Sequence, residues 1–257
     1  MLCISKFKDL KGMVHKIIRK CGSLLAFVLL SAILAALSPN FLTVNNIVNI
    51  LRQAAVNGLI SAGMLIVLIT GGIDLSVGGN AILCACVMGA LLSRVGISSP
   101  VVLICACIAT GMLVGFVNGL IFTKLHLPHP FVSTLGMKNV VCGLSLLVVQ
   151  TKTVSGFPKS ITWLGYKSIL SNASFQGIPV SLIAMLVIFI LFHILLSYTV
   201  LGKSIYFIGG NVNAARLSGI KIDRILIFVY TLSGLMCALA GIVIVGRSGV
   251  ANPSSAM

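Results

Sequence analysis

Glutamate is absent from this 257-residue chain, and aspartate occurs only three times, at positions 9, 74 and 223. Charged residues of both signs make up 8% of the sequence, too few to cover a soluble globule of this size, so lipid must cover most of the surface. The shortage of acid also removes most enzyme chemistry. With three Asp, no Glu and four His, none of the usual acid, base and nucleophile constellations assembles, which argues against an enzyme. The 18 Lys and Arg are left almost without partners, and the resulting formal net charge of +15 suits an anionic membrane surface. Nucleic acid, the other usual partner of a basic chain, is not expected. The cations sit in short clusters between apolar runs rather than on one solvated face.

What the chain does have is apolar length: 58% of its residues are hydrophobic and its mean hydropathy is +1.17. Lys6, Lys8, Lys11, Lys16, Arg19 and Lys20 precede a run from Gly22 to Leu37. That run is too long for a signal peptide and is followed by Pro39 and Asn40 rather than a small-x-small cleavage site, so it reads as a first span with its basic start in the cytoplasm. Val101–Phe122, Val132–Val149, Ile178–Tyr198 and Ile225–Val245 are each long enough to cross. Two shorter pieces, Val56–Ile69 and Asn80–Leu92, flank a glycine-rich stretch; they cross separately, form a re-entrant pair, or make one broken span. The expected fold is therefore an all-α polytopic transmembrane bundle of about seven apolar segments. Counting basic residues hardly separates the arrangements. The preferred one puts Lys124, Lys138, Lys203, Arg216, Lys221 and Arg224 inside with the N-terminal cluster, and makes Thr151–Gly177 an external loop with Trp163 and Tyr166 as interface residues.

The eight cysteines fall mainly in apolar runs, where Cys packs as a small hydrophobe, and the i, i+2 pairs Cys84/Cys86 and Cys105/Cys107 point to opposite sides of a helix. No metal site is expected from them, nor from His126 and His129 beside Pro128. His193, inside a span, is expected to face the bundle interior. Leu201-Gly202-Lys203-Ser204 is the nearest approach to a nucleotide-binding loop, but Ser197 stands where the first glycine is needed and a spanning helix precedes it. The chain should not hydrolyse ATP itself.

Two stretches invite function. In Gly71-Gly72-Ile73-Asp74-Leu75-Ser76-Val77-Gly78-Gly79 an ionisable side chain lies between apolar pieces, and the glycines free the backbone from regular helix. Asp74 is either an interfacial cap or anchor for the helix starting near Val77, or a contact to substrate. Gly209 to Ile220 reads as a short helix bounded by glycines. Asn211 or Asn213 can cap it, Ala214 and Ala215 allow close approach, and Arg216 offers a forked donor to a partner's carboxylate. A docking element fits this pattern better than a solvated loop does.

At these residues the chain resembles the permease subunits of bacterial ABC importers for monosaccharides of the ribose, xylose, galactose and allose group. Gly71 to Gly78, Val117-Asn118-Gly119-Leu120, Pro130 to Gly136, Gly209 to Ile220 and Ala251-Asn252-Pro253 carry the resemblance, in the family's order. The resemblance implies a subunit of the bacterial inner membrane that forms a dimer with a second copy of the permease. It would receive sugar from a periplasmic binding protein and rest on cytoplasmic ATP-binding cassette subunits, which bind and hydrolyse the ATP; the chain itself needs no cofactor. It further implies that Asp74, Ser76, Asn118, Ser133 and Thr134 belong to the substrate pathway. Gly209, Gly210, Asn211, Ala214, Ala215, Arg216 and Gly219 would form the coupling element seated in the ATPase. Residues 1–257 then make one permease domain, incomplete at its C-terminus, because such permeases continue through further spans after Ala-Asn-Pro. A secondary transporter using Asp74 as its coupling carboxylate is the alternative from another class.

Overall fold

The computed structural model describes residues 22–125, 127–170 and 177–256. The N-terminal basic cluster, Cys3, Cys21 and His126 lie outside the described residues. The chain divides into two compact units, Met1–Asn49 and Ile50–Met257. In the first, α1 (Gly22–Leu37) covers the expected first run, and Thr43 Oγ1 accepts the Asn46 N–H at 3.3 Å where the next helix begins.

That next helix, α2, runs Val44–Ile69 and is followed by α3 (Val77–Arg94), α4 (Pro100–Lys124), α5 (Pro130–Val148), α6 (Lys159–Tyr166), α7 (Val180–Tyr198), α8 (Val200–Gly210), α9 (Val212–Leu217) and α10 (Ile222–Ser248). Six of these, α2, α3, α4, α5, α7 and α10, are long and apolar enough to cross a membrane. The two pieces around Asp74 are thus separate helices, each of spanning length. Pro100 and Pro130 open α4 and α5 at their first turns, where a missing N–H costs nothing.

The strands β1 (Val154–Ser155), β2 (Ser168–Ile169), β3 (Ile178–Pro179) and β4 (Val250–Ala251) are two residues each, paired β1 with β4 and β2 with β3, all antiparallel. They pin connections rather than build a sheet. Val154 opposite Ala251 places the Ala-Asn-Pro stretch over α3, where Ala251 meets Gly89.

The centre of the second unit is α10 against α3 and α4. Lipid supplies no hydrophobic drive between helices, so close backbone approach must do much of the work. Gly111, Gly115 and Gly119 form an i, i+4, i+8 stripe on α4 that meets α10; a Cβ on Gly115 would lie 2.2 Å from the Tyr230 carbonyl oxygen, and one on Gly234 2.1 Å from that of Gly111. Replacing Gly115 by Val should force the two helices apart and destabilise the bundle by more than the 1–3 kcal/mol, roughly, of ordinary overpacking. Thermal unfolding of the detergent-solubilised variant, followed by circular dichroism, measures the loss.

Cys84, Cys86, Cys107 and Cys237 are buried free thiols, whereas Cys105 is exposed, so the two members of the Cys105/Cys107 pair do turn apart. Two sequence expectations need correction. His193 is on the exposed side of α7, against Ser197 at 3.4 Å and the edge of Tyr198, because local i+4 and i+5 partners satisfy it near the helix end. The 151–177 connection is no plain loop: α6 packs on α10 so closely that a Cβ on Gly165 would meet the Gly246 backbone at 2.4 Å.

Candidate functional site

The glycine-rich stretch between α2 and α3 carries a polar knot inside the apolar bundle. Asp74 Oδ1 accepts the Ser76 N–H at 3.0 Å and the Ser76 hydroxyl at 2.6 Å, while Ser233 of α10 donates to Oδ2 at 3.3 Å. Asn118 of α4 donates through Nδ2 to Ser76 Oγ at 2.8 Å, and Thr134 of α5 donates to the Ile73 carbonyl at 3.0 Å. One seven-residue connection therefore binds α3, α4, α5 and α10 through hydrogen bonds that hydrocarbon cannot replace.

The helix-capping reading is close, but the N-cap position of α3 belongs to Ser76. Asp74 acts one step earlier, holding that serine by its amide and its hydroxyl. Of the sequence candidates, Asp74, Ser76, Asn118 and Thr134 meet at this knot, whereas Ser133 turns back to its own helix, donating to the Pro130 carbonyl at 2.9 Å. Asp74 is 3% exposed and Asn118 and Thr134 0%, so the knot is sealed in this conformation and offers no open wall to a solute.

Sequence reading missed Ser233 and Tyr230. Both lie in the long apolar run of α10 with Thr231 between them, both are buried, and the Tyr230 hydroxyl has no partner among the described residues. Their three-residue spacing on one helix face is the signal that pointed inward. Asn118 Oδ1 is likewise buried without a partner. Three groups around Asp74 thus already hold it, and two nearby hydrogen-bonding atoms stand unused.

The second candidate, Gly209 to Ile220, is an exposed helical turn on a fixed base. Asn211 Oδ1 accepts the Ala214 N–H at 3.0 Å and so caps α9; Asn213 does not. At the other end the Gly219 N–H reaches the Arg216 carbonyl and the Ile220 N–H the Ala215 carbonyl, with Gly219 at φ +79°, the left-handed C-terminal turn that favours glycine. Gly209 and Gly210 belong to the end of α8 rather than bounding α9. Gly209 lies against the end of α2, where a Cβ would overlap the Ile69 carbonyl oxygen.

Ala215 is buried with Ile208, Ile222 and Leu226, while Ala214 and Arg216 are exposed and Leu217 is 90% exposed. A short helix capped at both ends thus presents a cation and a large apolar side chain to its surroundings. Asn211→Ala and Gly219→Ala should each loosen it by about 1 kcal/mol. Faster amide exchange confined to residues 211–220 is the expected readout.

Among the described residues no three His, Cys, Asp or Glu come together to hold a metal. His129, exposed at the start of α5, caps nothing.

Residues 46–257 match the family model described as branched-chain amino acid transport system / permease component. The chain is 39% identical over 240 residues to the ribose import permease protein of Bacillus subtilis, covering 93% of this chain and 72% of the relative. It is 38% identical over 235 residues to that of Escherichia coli K12, covering 91% and 71%. It is also 34% identical to the D-allose transport system permease protein of E. coli over 239 residues, covering 93% and 71%. No solved structure matches significantly. These relatives are transport permeases rather than enzymes, and the chain itself is a multi-pass membrane protein. A match through most of the chain, several helices of spanning length and sugar import permeases among its relatives together show that this chain belongs to the branched-chain amino acid transport system / permease component family.

Proposed function

We propose that the chain is the membrane-spanning permease subunit of an ATP-driven monosaccharide importer of the bacterial inner membrane, with its N-terminus in the cytoplasm. The observation that carries this reading is α9, held at its base by Ala215 and offering Arg216 and Leu217 outward, in a chain related to ribose and allose permeases. A cytoplasmic ATP-binding cassette subunit seats this helix and supplies all of the ATP chemistry, so the permease carries no cofactor. A periplasmic sugar-binding protein delivers the substrate, and a second copy of the permease completes the path.

The knot at Asp74 is the latch of that path. Opening it to a sugar separates Asn118 from Ser76 and Thr134 from the Ile73 carbonyl, leaving amide, hydroxyl and carboxylate groups for a polyol to take up. Motion of α9 reaches the latch through Gly209, because α8 lies directly against the end of α2 at Ile69, which immediately precedes the Asp74 connection. The subunit works by different affinities in two conformations rather than by reaction chemistry.

The test is reconstitution with the ATPase and binding protein in liposomes. Labelled ribose should accumulate only when ATP and the binding protein are both supplied on their proper sides; accumulation driven by an ion gradient without ATP would contradict the proposal.

A further inference from the structure

At one end of the second unit lies a hollow of about 730 Å³ whose walls include Arg52, Lys159, Trp163, Tyr166, Lys167 and Arg247. Four cations line it and, among the described residues, no carboxylate does. Lys159, Trp163 and Tyr166 recur at i, i+4 and i+7 on one face of α6. The aromatic rings are tied to the charges: Arg52 lies 4.7 Å from the Tyr166 ring centre and Lys167 5.0 Å from that of Trp163. Arg52 also donates to the Tyr166 carbonyl at 2.9 Å and to Ser168 Oγ at 3.2 Å, which fixes its charge at the wall.

A second hollow of about 350 Å³, almost wholly apolar, is lined by Leu59, Leu164, Ile188 and Ile242 among others. It shares α2, α6 and α10 with the basic hollow and adds residues of α4 and α7. Leu59 lies seven residues beyond Arg52, two turns along the same face of α2 and about 10 Å deeper by the helical rise. On α10, Val243 of the apolar hollow and Arg247 of the basic one are four residues apart, again on one face.

Between the two stands Ser181. The adjacent Val180 N–H donates to the Lys167 carbonyl at 3.0 Å, which places Ser181 just beyond the basic hollow, and Ser181 lines the apolar one. Its Oγ is buried and has no partner among the described residues. From the outer end inward the order is cations, amphipathic rings, an unused hydroxyl donor and an apolar trough. A glycerophospholipid has the complementary order of phosphate, glycerol, ester carbonyl and acyl chain.

We propose that these paired hollows bind one anionic phospholipid, its phosphate against Lys159, Lys167 and Arg247, an ester carbonyl accepting from Ser181, and an acyl chain along Leu59, Leu164 and Ile242. An acidic protein loop would match the cations but would leave Ser181 and the trough unfilled. The site stands on this geometry and on membrane insertion, independently of the transported substrate.

Trp163 is the chain's only tryptophan and lies in the wall, so its fluorescence reports occupancy directly. The full chain is reconstituted in phosphatidylcholine vesicles, and phosphatidylglycerol or phosphatidylcholine brominated at mid-chain carbons is titrated in. The brominated anionic lipid should quench at a several-fold lower mole fraction than the zwitterionic one. Lys159→Gln with Arg247→Gln, two exposed positions, should erase the difference, and Lys159→Arg with Arg247→Lys should keep it. Equal quenching by both lipids in wild type overturns the proposal, as does a preference that survives the double Gln change, which would trace it to the overall positive charge. If soluble polyglutamate shifts Trp163 emission while the two lipids quench alike, the hollow docks acidic protein and the proposal fails.

Discussion

Asp74→Ala should unfold or severely destabilise the bundle, whereas Asp74→Asn should leave it folded within about 1 kcal/mol of wild type. Alanine strands the Ser76 N–H, the Ser76 hydroxyl and the Ser233 hydroxyl, all buried, and each stranded donor costs roughly 1–3 kcal/mol. Asparagine keeps an oxygen for the two Ser76 donors and turns an N–H₂ toward Ser233 Oγ, which can accept. The comparison is made on purified protein by thermal unfolding in one detergent. If the two variants melt together near wild type, the knot does not hold the four helices. The same pair separates anchor from function: a folded Asp74→Asn chain that has lost transport assigns a role to the negative charge beyond structure.

Arg216→Glu with Leu217→Asp should reduce sugar-stimulated ATP hydrolysis by the reconstituted importer at least tenfold while leaving membrane insertion and melting unchanged. Both side chains are exposed, so their replacement costs the permease little, and reversal of the Arg216 charge sets a carboxylate against whatever acid the guanidinium would meet. Removal of the whole Gly209 to Ile220 segment is a poorer probe. It takes away the Gly209 contact with Ile69 and the buried Ala215 cluster, and so damages the fold along with the exposed surface of α9.

The spans α4, α5, α7 and α10 were legible to within a few residues because each carries a long run that stays apolar on average, α5 despite Lys138 and Asn139. Helix α2 was read as starting at Val56, twelve residues late, because Asn45, Asn46, Asn49, Arg52 and Gln53 break the hydropathy of its first half. The structure shows how such residues are afforded: Asn46 donates to the Phe41 carbonyl at 2.7 Å, and Arg52 donates to Tyr166 and Ser168, more than a hundred residues away. No window average contains a partner so distant. Helix α6 was hidden for a related reason. Only its packing through Gly165 onto Gly246 makes it a helix of the bundle rather than part of a loop.

The knot was half legible. Asp74 stands out as the one acid between apolar pieces, and Asn118 and Thr134 sit in short recognisable stretches. Ser233 and Tyr230 lie with Thr231 in an otherwise apolar stretch of α10, and their spacing puts them on one face without saying that this face meets Asp74. The turn at α9 was legible as a pattern of Asn, Ala and Gly, but its most exposed residue, Leu217, carries no local signal at all.

Co-purification most directly tests whether this family member acts as an ATPase-coupled permease. The detergent-solubilised chain is captured together with the co-expressed ATP-binding cassette subunit, and wild type is compared with the Arg216→Glu, Leu217→Asp variant. The account predicts a stable complex for wild type and its loss in the variant at equal amounts of folded permease. Equal capture of the ATPase by both would contradict the role given to α9, and capture by neither, from chain that is folded and inserted, would contradict the coupled-importer reading itself.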